Sequence, residues 1–111
     1  MKLQKIVESL DLKPLTKVED NEIEGVFISD MLSDVMSNAK AGDLWITVQT
    51  HKNIVSASNL VDIAAIIIVH GKIVSEETIE LANRFHVNIF STPLSTFQLA
   101  GKLVALGLNP G

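Results

Sequence analysis

Asp43-Leu-Trp-Ile-Thr-Val-Gln-Thr-His-Lys-Asn53, running on into Ile54-Val-Ser-Ala-Ser-Asn-Leu-Val61, holds a strand, a polar link and a helix start in one short stretch. Leu44, Trp45, Ile46 and Val48 are apolar and Thr47 is β-branched, so Asp43 to Val48 reads as a buried strand. Asn53 is a suitable N-cap for a helix whose Ile54, Val55, Ala57, Leu60 and Val61 supply the apolar side. Between them lie Gln49, Thr50, His51 and Lys52, the one cluster in the chain that joins a histidine to several neutral hydrogen-bonding side chains. In an open parallel α/β sheet, ligands bind beyond the carboxyl ends of the strands, where helix N-termini offer backbone N–H groups. Strand-to-helix links are polar whether or not they bind anything, so capping and solvation stay open beside recognition for each of these residues.

The same alternation extends in both directions. Upstream, Val26 to Ile28 reads as a strand, Ser29 or Asp30 as a helix cap, and Met31, Leu32, Val35, Met36 and Ala39 as one helix face closed by Ala41-Gly42. Downstream, the unbroken apolar run Ala64 to Val69 predicts a central strand covered on both faces. His70-Gly71-Lys72 makes a turn, and Ser75 caps a helix with Glu76 and Glu77 in its first turn and Ile79, Ala82 and Phe85 facing inward. A strand over Val87 to Phe90 follows. The last helix starts at Thr92-Pro93 or is capped at Ser95, where Ser95-x-x-Gln98 has capping-box form, and Phe97, Ala100, Leu103 and Val104 make its apolar stripe. Asn109-Pro110-Gly111 reads as a frayed terminator.

The first 24 residues differ in character. Leu3, Ile6, Val7 and Leu10 follow a helical i, i+3, i+4, i+7 spacing that ends before Pro14. Pro14 to Val18 suits a short edge strand. Glu19, Asp20, Glu22 and Glu24 form an acidic connection with some strand character around Ile23. Strand and helix thus alternate four times with short links, which predicts one α/β domain over residues 1–111: a three-layer α/β/α arrangement with a mainly parallel sheet of four to five strands and right-handed crossovers.

With 111 residues and 47% hydrophobic side chains, the chain is sized for a single domain with one substantial core. The longest apolar run, Ile63 to Val69, falls far short of the roughly 20 residues that span a bilayer. Met1 to Ser9 lacks the apolar core and cleavage site of a signal peptide, so a cytoplasmic protein is expected. The absence of cysteine excludes disulfides, thiolate metal sites and cysteine nucleophiles. The net charge of −4 and the few aromatic residues argue against nucleic-acid binding.

Parallel strands would bring Asp30, Thr47, Gln49, Thr50, His51, Asn53, His70, Gly71, Ser95 and Thr96 to one rim, and these are the candidate ligand-binding residues. Hydroxyls, an amide and backbone donors without a lysine or arginine cluster suit a neutral or singly charged small molecule, or a nucleotide held by backbone N–H groups and stacking. Ser29, Ser75 and Thr92 are better explained as caps. His51, His70 and Asp30 lack the close spacing of a metal site, and His86 beside an apolar helix face reads as structural. No Gly-x-Ser-x-Gly elbow, dinucleotide fingerprint or Walker loop is present, so no catalytic residue, metal or cofactor is assigned.

Gly25-Val-Phe-Ile-Ser-Asp30, Gly42-Asp-Leu-Trp-Ile-Thr47, Ile66-Ile-Ile-Val-His-Gly71 and Thr92-Pro-Leu-Ser-Thr-Phe97, in this order and spacing, resemble the DRTGG domain, itself similar to the N-terminal domain of HPr kinase. The resemblance implies a non-catalytic regulatory or ligand-binding α/β module, accessory to an enzyme or kinase system and self-associating as a homodimer. Where many members carry Gly-Asp-Arg this chain has Gln49-Thr50-His51, and Val69-His70-Gly71 stands for Thr-Gly-Gly. The rim keeps its position and loses the arginine. A second reading is a structural domain that docks on a larger enzyme through Met31, Leu32 and Met36, or through Leu99, Leu103 and Leu106. The third is an enzyme with His51 as general base.

Overall fold

The computed structural model describes residues 1–108; the expected terminator Asn109-Pro110-Gly111 lies outside the described residues. Chain order is α1 (Leu3–Leu10), β1 (Lys13–Pro14), β2 (Gly25–Ile28), α2 (Leu32–Asn38), β3 (Asp43–Thr47), α3 (Asn53–Val61), β4 (Ala65–Ile68), α4 (Glu76–Arg84), β5 (Ile89–Ser91) and α5 (Thr96–Ala105). The sheet runs β1-β5-β4-β3-β2, with β2 to β5 parallel and β1 antiparallel to β5. This is the expected α/β/α fold with a five-stranded, mainly parallel sheet.

Because β2, β3, β4 and β5 lie side by side in chain order, right-handed crossovers place α2, α3 and α4 on one face. Their Val35, Ile54, Val55 and Ala82 share a core with Trp45, Ile66, Ile68 and Ile89 from the sheet. The next residue of each strand points the other way. Leu44, Ile46, Ala65, Ile67 and Phe90 pack on that side with Leu3 and Ile6 of α1 and Leu99 and Leu103 of α5. The run Ala64 to Val69 is buried throughout, as a central strand requires.

The expected edge strand Pro14 to Val18 shrinks to Lys13–Pro14, since Leu15 still donates to the Ile89 carbonyl but Lys17 turns to the Asn83 side chain. The strand character near Ile23 is an isolated bridge from Lys2 to Glu22, with the Ile23 N–H on the Met1 carbonyl. Three apolar stripes need correction. In α5, Phe97 and Val104 point to solvent and Leu99 and Leu103 to the core, because the helix carries two apolar stripes and the leucine one meets the sheet. Phe85 is exposed because it is the C-cap of α4, where the chain leaves the helix to reverse at His86 with φ 58°. In α2 only Val35 is fully buried, and Met31 and Met36 are exposed.

Candidate functional site

At the carboxyl ends of the strands, the links after β3 and β4 flank a shallow depression of about 390 Å³. Thr50, His51 and Lys52 form one wall, and Ile73, Ser75, Glu77 and Thr78 the other. Lys52 and Glu77 also line a neighbouring hollow of about 300 Å³ between α3 and α4, with Asn53, Glu80 and Arg84. The Lys52 Nζ to Glu77 Oε1 ion pair of 3.0 Å spans the boundary between the two. Both partners are largely exposed, so the pair is weak and readily opened by a competing group.

The local sequence explains each wall. At the start of α3, the His51 ring Nδ1 accepts from the Asn53 N–H at 3.2 Å and the His51 carbonyl from the Ile54 N–H at 3.0 Å. Asn53 is therefore the first helical residue and not the cap that its type suggests. The free N–H groups expected at this helix end are partly consumed by His51. At the start of α4, Ser75 Oγ accepts from the Thr78 N–H, as its position predicts. Thr78 Oγ1 in turn donates to the Thr50 carbonyl at 3.4 Å, which ties the two walls together. Thr78 is nearly fully buried and floors the depression.

The rim residues separate into distinct sets. Asp30, Thr47 and Gln49 form a closed network beside the depression. Asp30 Oδ1 accepts from Thr47 Oγ1 at 2.8 Å and the Val48 N–H at 2.9 Å, while Gln49 Nε2 donates to the Asp30 carbonyl at 2.9 Å. Neither Asp30 nor Ser29 caps α2: its N-cap is Met31, and Ser29 Oγ accepts the Met31 N–H. His70 and Gly71 sit where the links from β4 and β5 diverge to opposite faces of the sheet, the place where an open sheet leaves a crevice. Here the crevice is closed by backbone, since the His70 N–H meets the Leu94 carbonyl and the Gly71 N–H the Thr92 carbonyl, each at 2.9 Å. Both residues take positive φ, 61° and 63°. Thr92 Oγ1 accepts from the Leu94 N–H in a local turn and caps no helix. Ser95 closes the capping box of α5 with Gln98, and Thr96 is the first residue of that helix.

Thr50 and His51 thus lie in the depression and Asn53 in the adjoining hollow, whereas the other candidates stabilise neighbouring links. Sequence reasoning missed Lys52, Ile73, Glu77 and Thr78. The Ser75-x-x-Thr78 spacing held a signal for Thr78, but Ile73 and Glu77 reach the site only through the folding of α4 beside α3. Among the described residues, no group of three or more His, Asp or Glu side chains is placed to hold a metal ion. No described helix is long and apolar enough to cross a membrane.

The DRTGG domain model matches residues 5–106, nearly the whole chain. The chain belongs to the DRTGG domain family. A solved structure similar to this DRTGG domain is that of the CBS and DRTGG domains of the regulatory region of Clostridium perfringens pyrophosphatase, complexed with its activator diadenosine tetraphosphate. The likeness has a TM-score of 0.70 at 20% identity and covers 97% of this chain. The chain spans 47% of that structure's length, so the relation is one of shared fold over about half of the neighbour. A search of curated protein sequences found no match.

Proposed function

We propose that this DRTGG domain is a non-catalytic regulatory module that takes a small polar ligand, with nucleotides the first class to test, in the depression between the β3–α3 and β4–α4 links. The depression itself carries this reading. It places Thr50, His51, Lys52, Ser75 and Thr78 around one opening at the strand ends, the usual location of ligands in open α/β sheets. The regulatory region of the structural neighbour, complexed with a dinucleotide activator, supports the choice of ligand class. The engagement of His51 supports a regulatory role: its ring Nδ1, which would act as a base, accepts the Asn53 N–H. The module is read as a homodimer accessory to an enzyme.

Thermal unfolding against a panel of mono- and dinucleotides, diadenosine tetraphosphate included, tests the ligand. A ligand at about 100 times its Kd adds roughly 2.7 kcal/mol of stability. Lys52→Gln should leave the unliganded melting temperature nearly unchanged, because the pair it removes is exposed. It should reduce the stabilisation by a bound nucleotide. Absence of stabilisation by every member of the panel would remove the ligand from this reading.

A further inference from the structure

The two walls of the depression differ in what they offer a ligand. On the α4 side the hydroxyl protons are already committed: Ser75 Oγ donates to Thr78 Oγ1 at 3.1 Å, and Thr78 Oγ1 to the Thr50 carbonyl at 3.4 Å. On the β3–α3 side, His51 Nδ1 accepts from the Asn53 N–H, so the neutral ring carries its proton on Nε2 and keeps that N–H for another acceptor. The Lys52 ammonium has three donors, and its partner Glu77 is itself exposed. These side-chain donors stand on one wall. The other contributes Ile73, which is 89% exposed although Val74 beside it is buried.

That division selects the chemistry of an occupant. A flat heteroaromatic ring covers Ile73 with one face while acceptors on its edge or substituents meet the His51 Nε2–H and Lys52. An aliphatic chain leaves the donors unpaired, and a sugar or a free phosphate leaves Ile73 in water. The volume of about 390 Å³ lies at the small end for ligand sites, so one ring system and its sugar fit and two do not. Charge adds a limit on the anionic part. An anionic group at Lys52 displaces the Glu77 carboxylate from an exposed pair. A longer anionic tail runs on into the hollow between α3 and α4, which Glu77 and Glu80 line. Arg84, the other cation there, lies seven residues beyond Glu77, about 10 Å along α4. A second or third phosphate thus meets carboxylates before it meets a cation.

We infer that the depression is a nucleoside monophosphate site, with the base on Ile73 and the phosphate at Lys52, and that it discriminates against polyphosphates. This rests on the reading above and narrows its ligand class to one base joined to one phosphate. Ile73 is the residue that demands the base. Glu80 is the residue that rejects the longer tail.

Calorimetric titration at low salt without divalent cations tests this, with adenosine and guanosine monophosphates, their triphosphates, diadenosine tetraphosphate and ribose phosphate as probes. At least one monophosphate should bind, and its triphosphate and ribose phosphate should bind roughly tenfold more weakly or worse. Ile73→Ser should keep the unliganded melting temperature, since the side chain is exposed, and weaken the monophosphate by roughly tenfold. Glu80→Gln should narrow the gap between tri- and monophosphate. A triphosphate or dinucleotide that binds as tightly as the monophosphate would overturn the inference. So would ribose phosphate that binds equally well, an Ile73→Ser chain with unchanged affinity, or a Glu80→Gln chain with an unchanged preference. In each of these cases, nucleotide binding that still depends on Lys52, scored with Lys52→Gln, leaves the depression as the ligand site, so only the narrower inference fails. No binding by any nucleotide removes both.

Discussion

Asp30 illustrates how one side chain can look like a ligand contact in sequence and serve the fold in three dimensions. Its Oδ1 accepts from both Thr47 Oγ1 and the Val48 N–H, so the link after β2 is fastened to the end of β3. Thr47 is 1% exposed, and its hydroxyl has no solvent to fall back on. Asp30→Ala should therefore cost about 1–3 kcal/mol, the desolvation cost of a buried donor left unpaired. Thr47→Val removes the hydroxyl but leaves the Val48 N–H bonded to Asp30, and adding it to Asp30→Ala should cost less than the two single changes summed. Urea unfolding of the four chains of the cycle checks this, and strict additivity would show that the Asp30–Thr47 bond contributes nothing. Since nucleotide stabilisation is assigned to the depression walled by Thr50 and Lys52, Asp30→Ala should retain it at temperatures where the variant is folded.

Elements were legible in the sequence to the extent that their signals were local. Ser75 and Ser95 announce α4 and α5 through side-chain spacing alone: Ser75 caps as expected, and of the two starts open for α5 the helix takes the Ser95 cap and not Thr92-Pro93. Ser95→Ala should cost about 1 kcal/mol by calorimetry, and Gln98→Ala somewhat less, since the hydroxyl still holds the Gln98 N–H. Asn53 misleads for a complementary reason: its type favours a cap, but His51 two residues earlier already supplies the acceptor. The inward face of α5 was not legible either. Phe97, Ala100 and Val104 are spaced as well as Leu99, Leu103 and Leu106, and only contact with the sheet decides between the stripes. Leu103→Ala should cost about 2–5 kcal/mol and Val104→Ala under about 0.5 kcal/mol, measured by urea unfolding. Equal costs would mean that the helix is rotated about its axis relative to the position described.

At the scale of the whole molecule, the strand alternation was enough to give the layers, because parallel strands need a crossover and the helix between each pair supplies it and covers the sheet. What it could not give is which loops lie open and which are closed. The crevice where the links of β4 and β5 diverge is filled by backbone pairing of His70 and Gly71, and the opening lies instead between β3 and β4. One sheet serves two cores, with Trp45 in the core beneath α2, α3 and α4, and Leu103 in the core beneath α1 and α5. Trp45 is fully buried and its Nε1 donates to the Ser29 carbonyl at 2.8 Å, so its fluorescence reports on the first core alone. If the shared sheet makes the two faces one cooperative unit, Trp45 fluorescence and far-UV circular dichroism should give the same urea midpoint. Leu103→Ala, on the far face, should then lower the Trp45 midpoint by as much as the circular dichroism midpoint, with little change in slope. A Trp45 transition that stays in place while the helical signal shifts would show that the α1 and α5 layer unfolds by itself, leaving the rim between β3 and β4 standing on the other layer.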